Sequence, residues 1–199
     1  QSCYNSRMAV VKAVIFDLYG VLGLNGWQDF KARHFVDRPE EWERLRVLGQ
    51  RADAGKVSQD EFVQALIDAT GESKATIRRQ FESTKPNAPL LVYIAHELKP
   101  HYKIGILSNT SHDVYQTIFQ AEDYALFDVA IGSFAVGLTK PDPKMFLLMC
   151  ERLGVDPTEC IMVDDKPQHT AAAGQLGMRT VVYTSAPQAI RDIQEQLSA

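Results

Sequence analysis

A parallel α/β sheet with helices on both faces, interrupted after its first strand by a helical insert, is the fold class that these 199 residues predict. Three observations predict it. The stretch "MAVVKAVIF" is β-branched and almost continuously apolar, as a strand buried on both faces would be. From Asn87 onward, strand-like apolar runs alternate with periodic helical segments, the succession that winds a parallel sheet. Between them, from Gly23 to about residue 86, β-branched runs are few and long polar-apolar periods break at Pro39, Gly55 and Gly71.

Taken in order, the first strand delivers Asp17 at its carboxyl end, within "VIFDLYGVLG". Two positions on, where a second carboxylate would make chemical sense, the chain has Tyr19. In the insert, "VSQDEFVQALIDATG" opens on a capping box, Ser58 with Glu61, gathers Phe62, Val63, Leu66 and Ile67 on one side, and stops at Gly71. Then come the helix "NAPLLVYIAHELK", the strand "KIGILSN", a short helix from Ser111, and the strand "FDVAIGS". The helix "DPKMFLLMCERLG", the strand "CIMVDD", the helix "PQHTAAAGQLG" and the strand "TVVYT" follow. A last helix carries Ile190, Ile193 and Leu197 at helical spacing. The expected units are a sheet core over residues 8–22 and 87–199 and an insert over 23–86.

Composition narrows the function classes. The formal charge is −4, the pI is about 5.7, and Arg and Lys are dispersed, so nothing forms the basic stripe of a nucleic-acid binder. Cys3, Cys150 and Cys160 form no C-x-x-C pair, as expected of a reduced, cytoplasmic protein. The apolar stretch from Met8 to Leu24 is interrupted by Lys12 and Asp17, follows the polar "QSCYNSR" and lacks an A-x-A-like ending. It reads as neither signal peptide nor membrane span, and the polar lead-in as an unstructured tail. A monomer or homodimer is expected.

In an open α/β sheet, ligand-facing groups gather outside the carboxyl ends of the strands. Asp17, Ser108 with Asn109, and Asp164 with Asp165 end three predicted strands, and Lys140 stands at the mouth of a helix. Singly, each has an ordinary reading as a turn, cap or surface residue. Jointly they suggest more. Three carboxylates in one cleft would raise one another's pKa unless a cation sat among them, and an all-oxygen site without a His or Cys cluster suits Mg²⁺. Lys140 offers a fixed positive charge, and Ser108 and Asn109 can donate to phosphoryl oxygens. The apparatus fits a small anionic substrate, most naturally a phosphorylated one. His169, in the segment after "VDD", is a conceivable helper whose ordinary reading is a cap or surface histidine.

"FDLYGVL", "LSNT", "KPDPKMF", and "IMVDD" followed by "AAAGQLGMRTVVY" resemble, in order, the four motifs of the haloacid dehalogenase-like superfamily, from residue 10 to about 184. The insert resembles that superfamily's small helical cap. The resemblance implies a Rossmann-like core in which Asp17 attacks the substrate and forms a covalent aspartyl intermediate. It also implies that Ser108, with Asn109, binds the transferring group and that Lys140 orients and neutralises it. Asp164 and Asp165 would hold Mg²⁺ together with an Asp17 oxygen and the main-chain carbonyl of Tyr19.

Phosphatases of the superfamily usually carry Asp where this chain has Tyr19, and losing that acid and base would cost the ~10²–10⁴-fold such catalysis contributes. The L-2-haloacid dehalogenases resemble this chain in "DLYG", use no metal, and need a halide-cradling Arg, for which Arg33, Arg38, Arg44 and Arg46 are candidates. Their last motif is typically Ser- and Asn-rich, whereas this one reads "VDDKPQHTA" and departs at 166–170 from the Asn or Asp frequent in phosphatase-like members. An uncompensated diacid would oppose a carboxylate substrate. The favoured expectation is therefore a Mg²⁺-dependent phosphomonoester hydrolase for good leaving groups. The alternatives are a metal-free L-2-haloacid dehalogenase and a catalytically silent binding protein. Trp27, Phe30 and Phe35 read as insert core rather than as a substrate lining.

Overall fold

The computed structural model describes residues 9–24, 26–53, 55–82 and 84–198. The polar lead-in and Cys3 lie outside the described residues. Strand β1 (Ala13–Phe16) is buried at every position. It is shorter than "MAVVKAVIF" predicts, because the strands on both sides begin opposite Ala13, and Val10 is 78% exposed.

The chain then leaves the sheet through β2 (Gly23–Leu24), runs through α1 (Trp27–His34), α2 (Pro39–Asp53), α3 (Gln59–Thr70) and α4 (Lys74–Glu82), and returns through β3 (Lys85–Pro86). Strands β2 and β3 pair antiparallel, so exit and return share one stalk. Asn87 braces it by donating its side-chain amide to the Val21 carbonyl at 2.7 Å and the Tyr183 hydroxyl at 2.8 Å. Helix α3 keeps both halves of its capping box, Glu61 N–H to Ser58 Oγ and Ser58 N–H to Glu61 Oε2, and ends on Gly71 at φ 72°. Such a cap stabilises a helix by about 1 kcal/mol. Phe30, Phe35, Leu45, Val63, Leu66 and Ile77 give the four helices an apolar core of their own.

After the insert come α5 (Ala88–Tyr93), widened into a π-helical turn over Ile94–Leu98, then β4 (Lys103–Ser108), α6 (Tyr115–Ile118), α7 (Ala121–Tyr124), β5 (Val129–Gly132) and α8 (Ser133–Val136). Helix α9 (Pro143–Leu153), β6 (Cys160–Asp164), α10 (Pro167–Gln175), β7 (Arg179–Val182) and α11 (Ala186–Ser198) complete the chain. The helix expected from Ser111 begins at Tyr115. Thr110 Oγ1 donates to the His112 carbonyl and Asp113 Oδ1 accepts from Tyr115 N–H, side-chain bonds that favour a turn there over an earlier helix.

The five long strands form a parallel sheet in the order β5-β4-β1-β6-β7. Alternate residues feed opposite faces. Val14, Phe16, Ile161 and Val163 join the layer of α5 and α11, while Ala13, Ile15, Cys160 and Met162 join the layer of α9 and α10. Cys150 and Cys160 are buried free thiols with sulfurs 3.8 Å apart. Chain order reverses about β1, whose neighbours are β4 and β6, so the crevice that such a reversal opens lies at the carboxyl ends of these three strands. Among the described residues no helix is long and apolar enough to cross a membrane.

Candidate active site

The residues singled out from the sequence converge at that crevice. Asp17 follows β1 and donates its N–H to the Val163 carbonyl at 2.8 Å, which locks it to the neighbouring strand. Lys140 Nζ donates to Asp17 Oδ1 at 2.8 Å and to Asp164 Oδ2 at 2.6 Å. All three side chains are buried, at 5%, 1% and 0% exposure for Asp17, Lys140 and Asp164. Asp165 completes a trio of acids whose nearest ligand atoms all lie within 4.8 Å of one another.

Burial and the nearby Asp164 push the Asp17 carboxyl upward, against the pull of Lys140. For Asp164, burial acts upward too, but the Lys140 charge and the His169 ring outweigh it and hold the carboxyl far below the usual carboxylate range. Burial, with Asp17 beside it, pushes Asp165 up to about 7. Burial opposes the charge on Lys140, yet its two carboxylates overcompensate and raise it.

The surrounding contacts assign finer parts. Asn109 spans the Lys140 main chain, donating from its amide to the carbonyl at 2.9 Å and accepting the N–H at 2.8 Å. It thereby fixes the loop that aims the lysine. Ser108 is fully buried, and neither its Oγ nor Asp165 Oδ1 has a hydrogen-bond partner among the described residues. His169 is buried behind the diacid with Nδ1 3.0 Å from both Asp164 oxygens, and Lys166 N–H donates to Asp164 Oδ1 at 2.9 Å. The "KPQHT" segment thus orients Asp164 with residues of its own. Gly20 is required on two counts: φ is +89°, and a Cβ there would stand 2.8 Å from Asp165 Oδ2.

Tyr19 has its phenol pushed upward by burial, with the Thr110 side chain acting against the shift. It also lines a cavity of about 340 Å³ between the insert and the sheet, whose floor includes Gly20, Asp165 and Lys166. Trp27, Trp42 and Phe62 of the insert line it as well. Phe30 and Phe35 are insert core, as read from the sequence, whereas Trp27 packs edge-on against Phe30 and also reaches the cavity.

Of the arginine candidates, Arg33 and Arg44 are exposed. Arg38 is engaged by Glu41 and the His34 and Ala69 carbonyls, and Arg46 lines the cavity while paired with Glu43. Three charged lining residues escaped sequence reasoning: Lys31, Lys166 and Asp53, the last residue of α2. Burial pushes the Asp53 carboxyl up to about 7. Its main-chain carbonyl lies 3.0 Å from Ser133 Oγ, which is also 2.9 Å from the Thr110 carbonyl and accepts the Thr110 N–H. The position of Asp53, just before the Gly55 turn, was the one signal available.

Comparison with known proteins agrees with this fold. The chain is 35% identical over 213 residues to bifunctional epoxide hydrolase 2 of Sus scrofa, covering 93% of this chain and 38% of that relative's length. It superposes on a HAD family enzyme of Bacteroides thetaiotaomicron, solved as a magnesium complex, with a TM-score of 0.66 and 25% identity over 96% of this chain and all of the other. An L-2-haloacid dehalogenase of Xanthobacter autotrophicus, with chloropropionic acid covalently bound, gives a TM-score of 0.62 at 25% identity over 96% of this chain and 85% of that one. The haloacid dehalogenase-like hydrolase model matches residues 11–177, and this chain belongs to that family of hydrolases.

Proposed function

We propose that the chain hydrolyses a small phosphomonoester in a magnesium-dependent reaction, with Asp17 as nucleophile and an aspartyl phosphate as intermediate. The observation that carries this reading is Asp165 Oδ1, a buried carboxylate oxygen left without a hydrogen-bond partner among the described residues beside two further acids. Lys140 is already shared by Asp17 and Asp164, which leaves the half-buried Asp165 without a direct ion pair among the described residues. The all-oxygen donor set of Asp17, Asp164, Asp165 and the Tyr19 main-chain carbonyl suits a hard divalent cation. Magnesium, when bound, would stabilise charge on the phosphoryl oxygens and let an anion approach the acids.

The side chains divide the remaining work. Leu18 N–H and Lys140 Nζ both donate to Asp17 Oδ1, which leaves Oδ2 for attack on phosphorus. Ser108 Oγ donates to a phosphoryl oxygen, and Asn109 acts by positioning Lys140. Residues 23–86 form a cap that closes the cavity over the substrate. Its aromatic walls, with Lys31 and Lys166 nearby, favour phosphates of flat, partly apolar groups. The magnesium complex of the Bacteroides enzyme supports the same reading.

Metal-free dehalogenation of a 2-haloacid is the second reading. Tyr19 favours it, because a halide departs without a proton. Against it stand the three acids and the engagement of Arg38 and Arg46 with neighbouring glutamates. Turnover of p-nitrophenyl phosphate and 2-chloropropionate, each with Mg²⁺ or EDTA, separates the two. We expect Mg²⁺-dependent phosphate release that vanishes in Asp17→Asn. Chloride release in EDTA without phosphatase activity would overturn the proposal.

A further inference from the structure

We propose that Asp53, carried by the insert, is the general acid and base of this site, filling the role that the Tyr19 side chain cannot. The inference rests on the phosphatase reading above. Asp53 ends α2 and lines the cavity opposite the strand ends, together with Tyr19 and Asp165. Its carboxyl interacts electrostatically with Asp17 and Lys166, so it belongs to the same charged neighbourhood as the nucleophile. The contact between its carbonyl and Ser133 Oγ holds the end of α2 against the start of α8.

Other groups suit the task less well. Burial pushes the Tyr19 phenol above its ordinary range, and a protonated phenol does not accept a proton from water at neutral pH. His169 is buried at 2% exposure with its Nδ1 on Asp164. His112 lines the cavity but is exposed, with Nδ1 3.1 Å from Ser111 Oγ. That leaves a carboxyl of the kind the sequence places elsewhere in related phosphatases, delivered from the opposite wall. Burial, which favours its protonated form, suits it to begin the cycle as an acid.

The steps balance. Asp17 Oδ2 attacks phosphorus and forms the P–O bond. The bond to the leaving oxygen breaks with its electron pair, and that oxygen takes the Asp53 proton and departs as the alcohol. Asp53, now a carboxylate, removes a proton from water as the water oxygen attacks phosphorus. The P–O bond to Asp17 then breaks, which restores the Asp17 carboxylate and the protonated Asp53 and releases phosphate.

The test compares Asp53→Asn with wild type on an alkyl phosphate and on p-nitrophenyl phosphate, whose leaving group needs no proton. The substitution is nearly isosteric, and the bond to Ser133 involves the main chain, so circular dichroism should match wild type. We expect kcat/KM on the alkyl phosphate to fall by ~10²-fold or more and on the aryl phosphate by less than about threefold. A burst of about one equivalent of nitrophenol should accompany the latter, because the aspartyl phosphate forms and then waits for its base. Equal losses on both substrates, no loss on either, or the leaving-group pattern in His112→Gln instead would overturn the assignment of Asp53. If wild type hydrolyses neither phosphate, the phosphatase reading itself fails and takes this inference with it.

Discussion

Replacing Lys140 with Met tests the electrostatics on which the site is built. The substitution keeps an apolar stem of similar length and removes one ammonium whose side chain is 1% exposed and lies 2.8 and 2.6 Å from two carboxylates. Breaking a buried ion pair from one side costs about 3–5 kcal/mol, since a charge stays behind without its partner. For a chain of 199 residues the unfolding entropy is about 0.4 kcal/mol per degree, so Tm should fall by about 7–12 °C at pH 8.

The pH dependence has a definite sign. Without the lysine, burial and mutual repulsion lift the folded-state pKa of the acids above their unfolded values, including that of Asp164, which Lys140 now helps to hold down. The penalty is absent below about pH 4, where both states are protonated, and grows as pH rises through the lifted folded value. Thermal melts of both proteins in EDTA at pH 5 and pH 8 should therefore show the larger loss at pH 8. A shift below about 2 °C at pH 8, or a larger one at pH 5, would refute this account of how the acids are held.

Two further expectations address the metal and its geometry. At a Mg²⁺ concentration of about 100 Kd, wild type should gain about 2.7 kcal/mol, a rise of about 6 °C in Tm, and Asp165→Asn should lose most of it; an equal gain in the variant would remove Asp165 from the ligand set. Gly20→Ala adds a Cβ that would lie 2.8 Å from Asp165 Oδ2 on a backbone at φ +89°. It should destabilise by more than about 1 kcal/mol and blunt the Mg²⁺ response, and a melt matching wild type would show that the loop yields without strain.

The sheet and its strand-end residues were legible because each depends on a short local signal. A buried apolar run ends in Asp17, in Ser108 and Asn109, or in Asp164 and Asp165, and the parallel winding then brings the ends together. The role of Asn109 was harder to read, since an amide that grips the main chain of Lys140 looks the same in sequence as one that faces a substrate. Asp53 left only a faint trace, its place just before the Gly55 turn. It is the terminal residue of an amphipathic helix, an unremarkable place for an acid, and only the packing of the insert across the sheet brings it to the cavity. His169 shows the converse: "KPQHT" looked like a defect beside the diacid, yet its histidine reaches back to steady Asp164.

Ser133 has one hydroxyl proton and two carbonyl oxygens within reach, those of Asp53 and Thr110. If the insert swings away from the sheet, that proton can turn to Thr110, so the hydroxyl is never stranded. The Asp53 carbonyl, at a half-buried helix end, can exchange its donor for water at a net cost of about 1 kcal/mol. The joint therefore behaves as a detent rather than a bolt: it defines where the insert comes to rest and offers little resistance to its leaving.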